Sequence, residues 1–202
     1  MVKLKVPSNP GFHVWVHKGL LTRRPYLAEY FKKNARTEGD GLILPMLRCS
    51  HTMAPELVYW LYTGQLSSTF SVDEVKLGYF VYCQSLQDKL VDLYCTAKRY
   101  KLEDLAAVVF GKIEMILQVK RTSWFDLRNL RRLNLPKDEN GNLMGLMIAS
   151  MADDIRGTGW DAYTATQTGF SAWLETNLDS RFVMELMRRL TDSQVPRKAE
   201  VA

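Results

Sequence analysis

Early in this chain the spacing of apolar residues changes, and that change constrains the fold more than any other feature. Apolar and polar side chains alternate over the first six residues and again, after a turn-forming segment, up to position 17. The apolar positions are Val2, Leu4, Val6, Phe12, Val14 and Val16, and Ser8-Asn9-Pro10-Gly11 lies between the two sets. A period of two is typical of half-buried strands. The sequence therefore predicts a β-hairpin at the N-terminus, joined by a turn at residues 8–11.

Helical spacing follows the hairpin. Residues 18–21 and 26–33 carry clustered apolar side chains, and Pro25 between them suits a first helical turn. Gly39-Asp40-Gly41 interrupts the chain before a short third strand over residues 42–44. Pro55 is expected to open another helix, and Gly64 is placed to end that helix in a left-handed cap.

Residues 71–83 leave more than one interpretation open. Ser71-Val72-Asp73-Glu74 fits a helix-capping box, while residues 75–83 are compatible with a strand, a helix, or one followed by the other. Beyond them the chain is predicted to be almost wholly helical, with a frayed tail from Thr191. The predicted helices cover residues 86–100, 105–117, 124–132, 143–155, 163–174 and 182–190.

Composition and cysteine spacing narrow the class of protein. The chain is 47% hydrophobic and 24% charged, which is typical of a folded soluble protein. Cys49, Cys83 and Cys95 are odd in number and widely spaced, which indicates buried reduced thiols and disfavours a disulfide framework or a structural zinc site. The longest charge-free stretch, residues 57–72, is shorter than the ~20 apolar residues of a transmembrane helix. We therefore expect a cytoplasmic or nuclear protein without a membrane partner.

The net charge of +5 does not by itself indicate a nucleic-acid partner. Residues 1–120 hold 16 Lys and Arg against 11 Asp and Glu, and residues 121–202 hold 11 against 11. The excess is spread out, with acids between the bases, whereas nucleic-acid binders concentrate charge on one stripe or tail. The sequence therefore makes nucleic acid a disfavoured partner.

The chain lacks the common catalytic motifs, among them the phosphate-binding loop and the Gly-x-Ser-x-Gly elbow. In a strand, His13 and His17 would lie roughly 13 Å apart at ~3.3 Å per residue, too far apart to share a metal. The adjacent Asp153-Asp154 pair is typical of a solvated helix face, and a thiol–imidazole pair of His17 with Cys49 or Cys95 would lack an orienting third group. We predict a protein that is not an enzyme and that holds no cofactor and no metal.

Three segments in order resemble a known family. They are Val16-His17-Lys18-Gly19-Leu20-Leu21, then Leu61-Tyr62-Thr63-Gly64, then the helix pair Leu93-Tyr94-Cys95-Thr96-Ala97-Lys98-Arg99-Tyr100-Lys101-Leu102-Glu103-Asp104-Leu105. Together they resemble the BTB/POZ domain, over residues 1–117. Residues 118–202, with Trp173-Leu174-Glu175 and Phe182-Val183-Met184-Glu185-Leu186, are similar to the helical extensions of fungal BTB-only proteins.

The resemblance implies an α+β fold in which a short mixed sheet is capped by a helical cluster and followed by an all-α extension. His17, Lys18, Tyr62 and Gly64 would be the fold signature, with His17 capping or tethering a helix start. Because the family mediates protein–protein contacts and dimerises through its first strand and first helix, it implies a homodimer interface at Val2, Leu4, Val6, Leu20 and Leu21. Strand exchange at a sheet edge would then join the two copies.

Many members of the family link a substrate to a cullin-3 ubiquitin ligase. The resemblance places the candidate cullin contact at Arg36, Glu38 and Tyr59, although members that bind cullin carry an apolar residue where this chain has Arg36. The interpretation that follows is a non-enzymatic interaction module acting as a ligase adaptor. The alternative is a transcriptional co-regulator or scaffold without its own DNA-binding domain.

Overall fold

The chain is described here by a computed structural model, which covers residues 1–39, 41–47, 49–71, 80–118, 141–167, 169–176 and 181–192. It divides into two compact units, Met1–Ile116 and Leu117–Ala202. The predicted capping box at residues 71–74 lies almost entirely outside the described residues, as do the predicted helix over 124–132 and nearly all of the predicted frayed tail.

The N-terminal hairpin is confirmed. Strand β1 (Val2–Val6) pairs antiparallel with β2 (Asn9–Val16), with Leu4 opposite Val14. The turn lies at residues 7–8, earlier than predicted, so that Asn9 already belongs to β2. A register shift between Lys5 and Val6 accompanies this early turn.

Two further strands complete a mixed sheet. Strand β4 (Gly41–Pro45) pairs parallel with β1, and β3 (Arg36–Glu38) pairs antiparallel with β4, so that the order is β2-β1-β4-β3. The third strand predicted over residues 42–44 is therefore confirmed as part of β4. The sequence did not predict β3, whose three residues are all exposed and carry no apolar alternation. Together with the helices below, this small sheet confirms the α+β class.

Five helices of the first unit follow the predicted spacing. They are α1 (Lys18–Thr22), α2 (Pro25–Asn34), α3 (Met53–Thr63), α4 (Phe80–Arg99) and α5 (Glu103–Leu117), with a 3-10 turn at Ser68–Phe70. Helix α3 begins two residues before Pro55, because proline is tolerated anywhere in the first helical turn. Residues 80–83 belong to α4, which settles the open interpretation for that part of the segment in favour of a helix.

The described part of the second unit is helical. It contains α6 (Gly141–Thr158), α7 (Trp160–Thr166), α8 (Phe170–Glu175) and α9 (Arg181–Thr191). The residues predicted to line α6 are buried: Leu143, Met147, Met151 and Ile155. The single helix predicted over 163–174 is wrong, because Gly169 adopts a left-handed conformation (φ 81°) and separates α7 from α8.

Charges on α9 pair within the helix. The Glu185 carboxylate accepts hydrogen bonds from Arg188 and Arg189, at N–O distances of 2.7 and 2.8 Å. These bonds lower the pKa of Glu185 to about 2. The exposed basic end of α9 is therefore partly neutralised by its own helix. Among the described helices, none combines the length and the apolar character that crossing a bilayer demands.

Candidate functional site

The structure brings together two of the residues singled out in the sequence, His17 and Tyr62. The backbone N–H of His17 donates to Tyr62 Oη at 3.1 Å, and His17 Nδ1 lies 2.6 Å from the same oxygen. The two rings meet edge to face with centroids 5.7 Å apart. His17 is the N-cap residue of α1 but makes no side-chain capping bond there, since its imidazole is engaged by α3. His17 therefore tethers the β2–α1 junction to the last turn of α3.

Gly64 and Lys18 flank this tether. Gly64 adopts φ 67° and ψ 13°, and its N–H donates to the carbonyl of Trp60 at 2.8 Å, which confirms the predicted left-handed cap. A side chain at this φ would be strained, so glycine is the residue of choice where the chain leaves α3. Lys18 Nζ lies 5.6 Å from the centre of the Phe31 ring, within the range of a cation–π contact.

The expected dimer residues lie mostly in the interior of the first unit. Val2, Leu4 and Val6 are fully buried, Leu21 is buried, and Leu20 is half-buried. Strand β1 pairs with β2 on one side and with β4 on the other. The expectation that β1 lies at a sheet edge is therefore wrong, because both of its edges are already hydrogen-bonded within the chain. The exchange of β1 between two copies stays a prediction.

The candidate cullin residues are exposed and belong to two elements. Arg36 and Glu38 are in β3, and Tyr59, 43% exposed, is on α3. Both carboxylate oxygens of Glu38 lie 2.8 Å from Lys5 Nζ. The hydrogen bond from Lys5 lowers the pKa of Glu38, and the nearby charges of Lys5, Arg36 and Lys3 act in the same direction. Glu38 is therefore the acidic centre of a basic neighbourhood.

An aromatic residue whose exposure the sequence left open lies on the solvent side of the hairpin. Trp15 is 46% exposed, with Lys3 Nζ 5.8 Å from its ring centre and the His13 ring 6.0 Å away. The alternation in β2 contained the signal, because Trp15 falls on the polar side of the strand, with His13 and His17. By contrast Trp60, only 5% exposed, belongs to the core.

Two buried thiols and a buried tyrosine hydroxyl lie in the first unit, at Cys49, Cys95 and Tyr100. Cys49 and Cys95 are free and buried, as the sequence predicted, and burial raises the pKa of each thiol to about 12. Burial also raises the pKa of Tyr100, whose hydroxyl donates to the carbonyl of Leu47 at 3.0 Å. Thiols held in their neutral form are poor nucleophiles, so these buried groups support packing. Among the described residues, no three His, Cys, Asp or Glu side chains converge as metal ligands.

Removing the hydroxyl that joins His17 to α3 is expected to destabilise the first unit. Tyr62→Phe deletes the acceptor of the His17 N–H and the partner of its imidazole, and we expect the free energy of unfolding to fall by about 1 kcal/mol. Urea denaturation followed by circular dichroism measures the change. Tyr59→Phe is the matched control, since it removes a hydroxyl from the same helix at similar exposure, and its effect should stay within about 0.5 kcal/mol. Equal effects of the two variants would contradict the tether.

Comparison with models of protein families, with curated proteins and with solved structures gave no match.

Proposed function

We propose that this chain is a non-enzymatic protein-interaction module of the BTB/POZ type, which self-associates and serves as an adaptor of a cullin-3 ubiquitin ligase. Its first unit is the interaction domain, and its second unit is a helical extension that contacts a partner or supports the dimer. The proposal places the protein in the cytoplasm or the nucleus.

The observation that carries the proposal is the bond between His17 and Tyr62. These residues belong to two of the three segments on which the resemblance rests, and 45 positions separate them in the chain. The spacing of apolar residues does not predict a contact between these two segments. If both belong to the signature of one fold, a contact between them is expected. A small mixed sheet with helices between and after its strands also fits the architecture that the resemblance implies.

The exposed positions on β3 and α3 suit a contact surface. Arg36, Glu38 and Tyr59 are not needed for the core, and Tyr59 presents an aromatic ring of the type that often dominates binding. At the position of Arg36, family members that bind cullin carry an apolar residue, and this chain carries a charged one. The proposal therefore assigns the specificity of cullin binding to Glu38 and Tyr59.

Titration calorimetry of the full chain against a cullin-3 N-terminal domain tests the adaptor role. We expect a dissociation constant in the micromolar range or tighter, and a loss of at least tenfold in affinity for Glu38→Lys. Glu29→Lys is the matched control, because it reverses the charge of an exposed residue on α2, and it should bind like the unmodified chain.

Two results would refute the adaptor role. The first is no heat of binding from a folded, monodisperse sample, which would leave the co-regulator or scaffold interpretation. The second is binding that Glu38→Lys leaves unchanged. Circular dichroism of both charge variants confirms beforehand that they are folded.

A further inference from the structure

The outer face of the sheet is basic and carries one exposed tryptophan. The strand register aligns Trp15, Lys3, Ile43 and Arg36 in one row across the four strands, and within this row Ile43 is buried. Lys3 lies over the Trp15 ring, and His13 packs against the edge of the same ring. The outer face consists of this row together with Lys5, His13 and Glu38.

Positive charge exceeds negative charge on the outer face. Glu38 is neutralised by its ion pair with Lys5, in which both oxygens lie at 2.8 Å. Lys3 and Arg36 are close enough to act on Glu38 electrostatically, yet its two oxygens are held by Lys5. Among the described residues, no acid forms an ion pair with Lys3, which lies on the strand next to β2, so its charge favours an acidic ligand.

Strand β2 adds an open backbone edge to this surface. Among the described strands, β2 pairs with β1 alone and lies at the end of the sheet. Its residues Asn9–Gly11, His13 and Trp15 are exposed. An edge strand of this kind presents unpaired N–H and C=O groups at every second residue, and these match the backbone of an extended peptide.

We propose that an acidic peptide segment of a partner protein binds here as an added strand alongside β2. Its backbone pairs with the β2 edge, one of its side chains packs on Trp15, and a carboxylate pairs with Lys3. The distance permits this, because the added strand would lie two strand spacings, about 10 Å, from β1, which a Lys and a Glu side chain span together. This inference rests on the proposed role as an interaction module and names its ligand class.

A backbone edge also distinguishes a peptide from a nucleic acid. Alternating N–H and C=O groups find their complement in another polypeptide, whereas phosphates need cations and take no part in a strand ladder. Trp15 with its neighbouring cations would serve either ligand. The open backbone edge of β2 therefore favours a peptide over a nucleic acid, and the test must separate backbone pairing from electrostatic attraction.

The experiment is fluorescence anisotropy with the full chain and labelled peptides in which every second residue is Glu. We expect binding that weakens at least tenfold when Lys replaces Glu in the peptide, and at least tenfold when backbone N-methyl groups block strand pairing. Trp15→Ala and Lys3→Glu should each weaken binding of the acidic peptide at least fivefold. Lys33→Glu, the same charge change on the exposed side of α2, is the matched control and should have no effect.

Glu38→Lys separates this inference from the adaptor role. The variant removes the acid that pairs with Lys5 and adds a cation, so we expect it to bind the acidic peptide at least twofold more tightly while it loses cullin-3. Absence of peptide binding together with intact cullin binding would overturn the peptide site alone. Equal affinity for the N-methylated peptide, or binding of single-stranded DNA that Trp15→Ala abolishes in the absence of peptide binding, would also overturn it.

Discussion

Replacing Leu4 by alanine is expected to lower the free energy of unfolding of the first unit by about 2–5 kcal/mol. Leu4 is fully buried, and its strand lies between Val14 of β2 and Leu44 of β4. Alanine leaves a cavity where neighbours on both sides are fixed by the sheet, so little relaxation is available. Urea denaturation gives the free energy, and hydrogen exchange over residues 2–16 shows whether the sheet opens.

The same substitution distinguishes a core position from a dimer contact. If Leu4 faced a second copy, Leu4→Ala would give a folded chain that sediments as a monomer. With Leu4 in the core, we expect reduced stability at any protein concentration. Leu47→Ala is the control, since Leu47 is 52% exposed and its truncation should change stability by no more than about 0.5 kcal/mol.

The position of β1 in the sheet shows what alternation can and cannot predict. Val2, Leu4 and Val6 alternate with two lysines, a pattern that fits a half-buried strand at the edge or in the centre. The expectation of an edge position came from the family resemblance, in which the first strand forms the dimer contact. What makes β1 central is its pairing with β4, a contact across some forty residues that no local pattern encodes.

The sequence predicted helix ends correctly where the backbone conformation of a single residue determines them. Gly64 ends α3 because only the conformation of that residue matters, and Pro25 begins α2 because its φ is fixed. Strand β3 was not predicted, because Arg36-Thr37-Glu38 pairs with β4 through its backbone and buries no side chain. The helix break at Gly169 was not predicted, because an isolated glycine within an apolar pattern is compatible with a continuous helix.

The sequence was enough to name residues of the candidate site, but it did not predict the contacts between them. His17 and Tyr62 were named from the sequence, yet their bond depends on how α3 packs beside the β2–α1 junction. The outer face was not named, because Trp15 and Lys3 are neighbours only through the register of the hairpin. A site assembled across strands can be predicted only once the register is known, and the turn at residues 7–8, which sets this register, lies earlier than predicted.

The second large effect is expected in the second unit, at Phe170. Its ring is fully buried, and its centroid lies 5.6 Å from that of Tyr163, 6.0 Å from that of Trp160 and 6.2 Å from that of Trp173. Helix α8, which Phe170 begins, has six residues and is too short to be stable without packing. Phe170→Ala removes the shared centre of these contacts, and we expect a loss of about 3–5 kcal/mol.

Near-ultraviolet circular dichroism reports the ordering of these aromatic rings, and hydrogen exchange over residues 160–176 locates the change. Phe170→Leu keeps most of the volume, so we expect it to cost less than half as much as alanine. Met184→Ala, at a position 66% exposed on α9, serves as the second control and should leave the spectrum unchanged. A loss below about 1 kcal/mol for Phe170→Ala would mean that α7 and α8 are held by other contacts. Because Leu4 and Phe170 lie in different units, exchange confined to the unit that carries each substitution would also show that the two cores form separately.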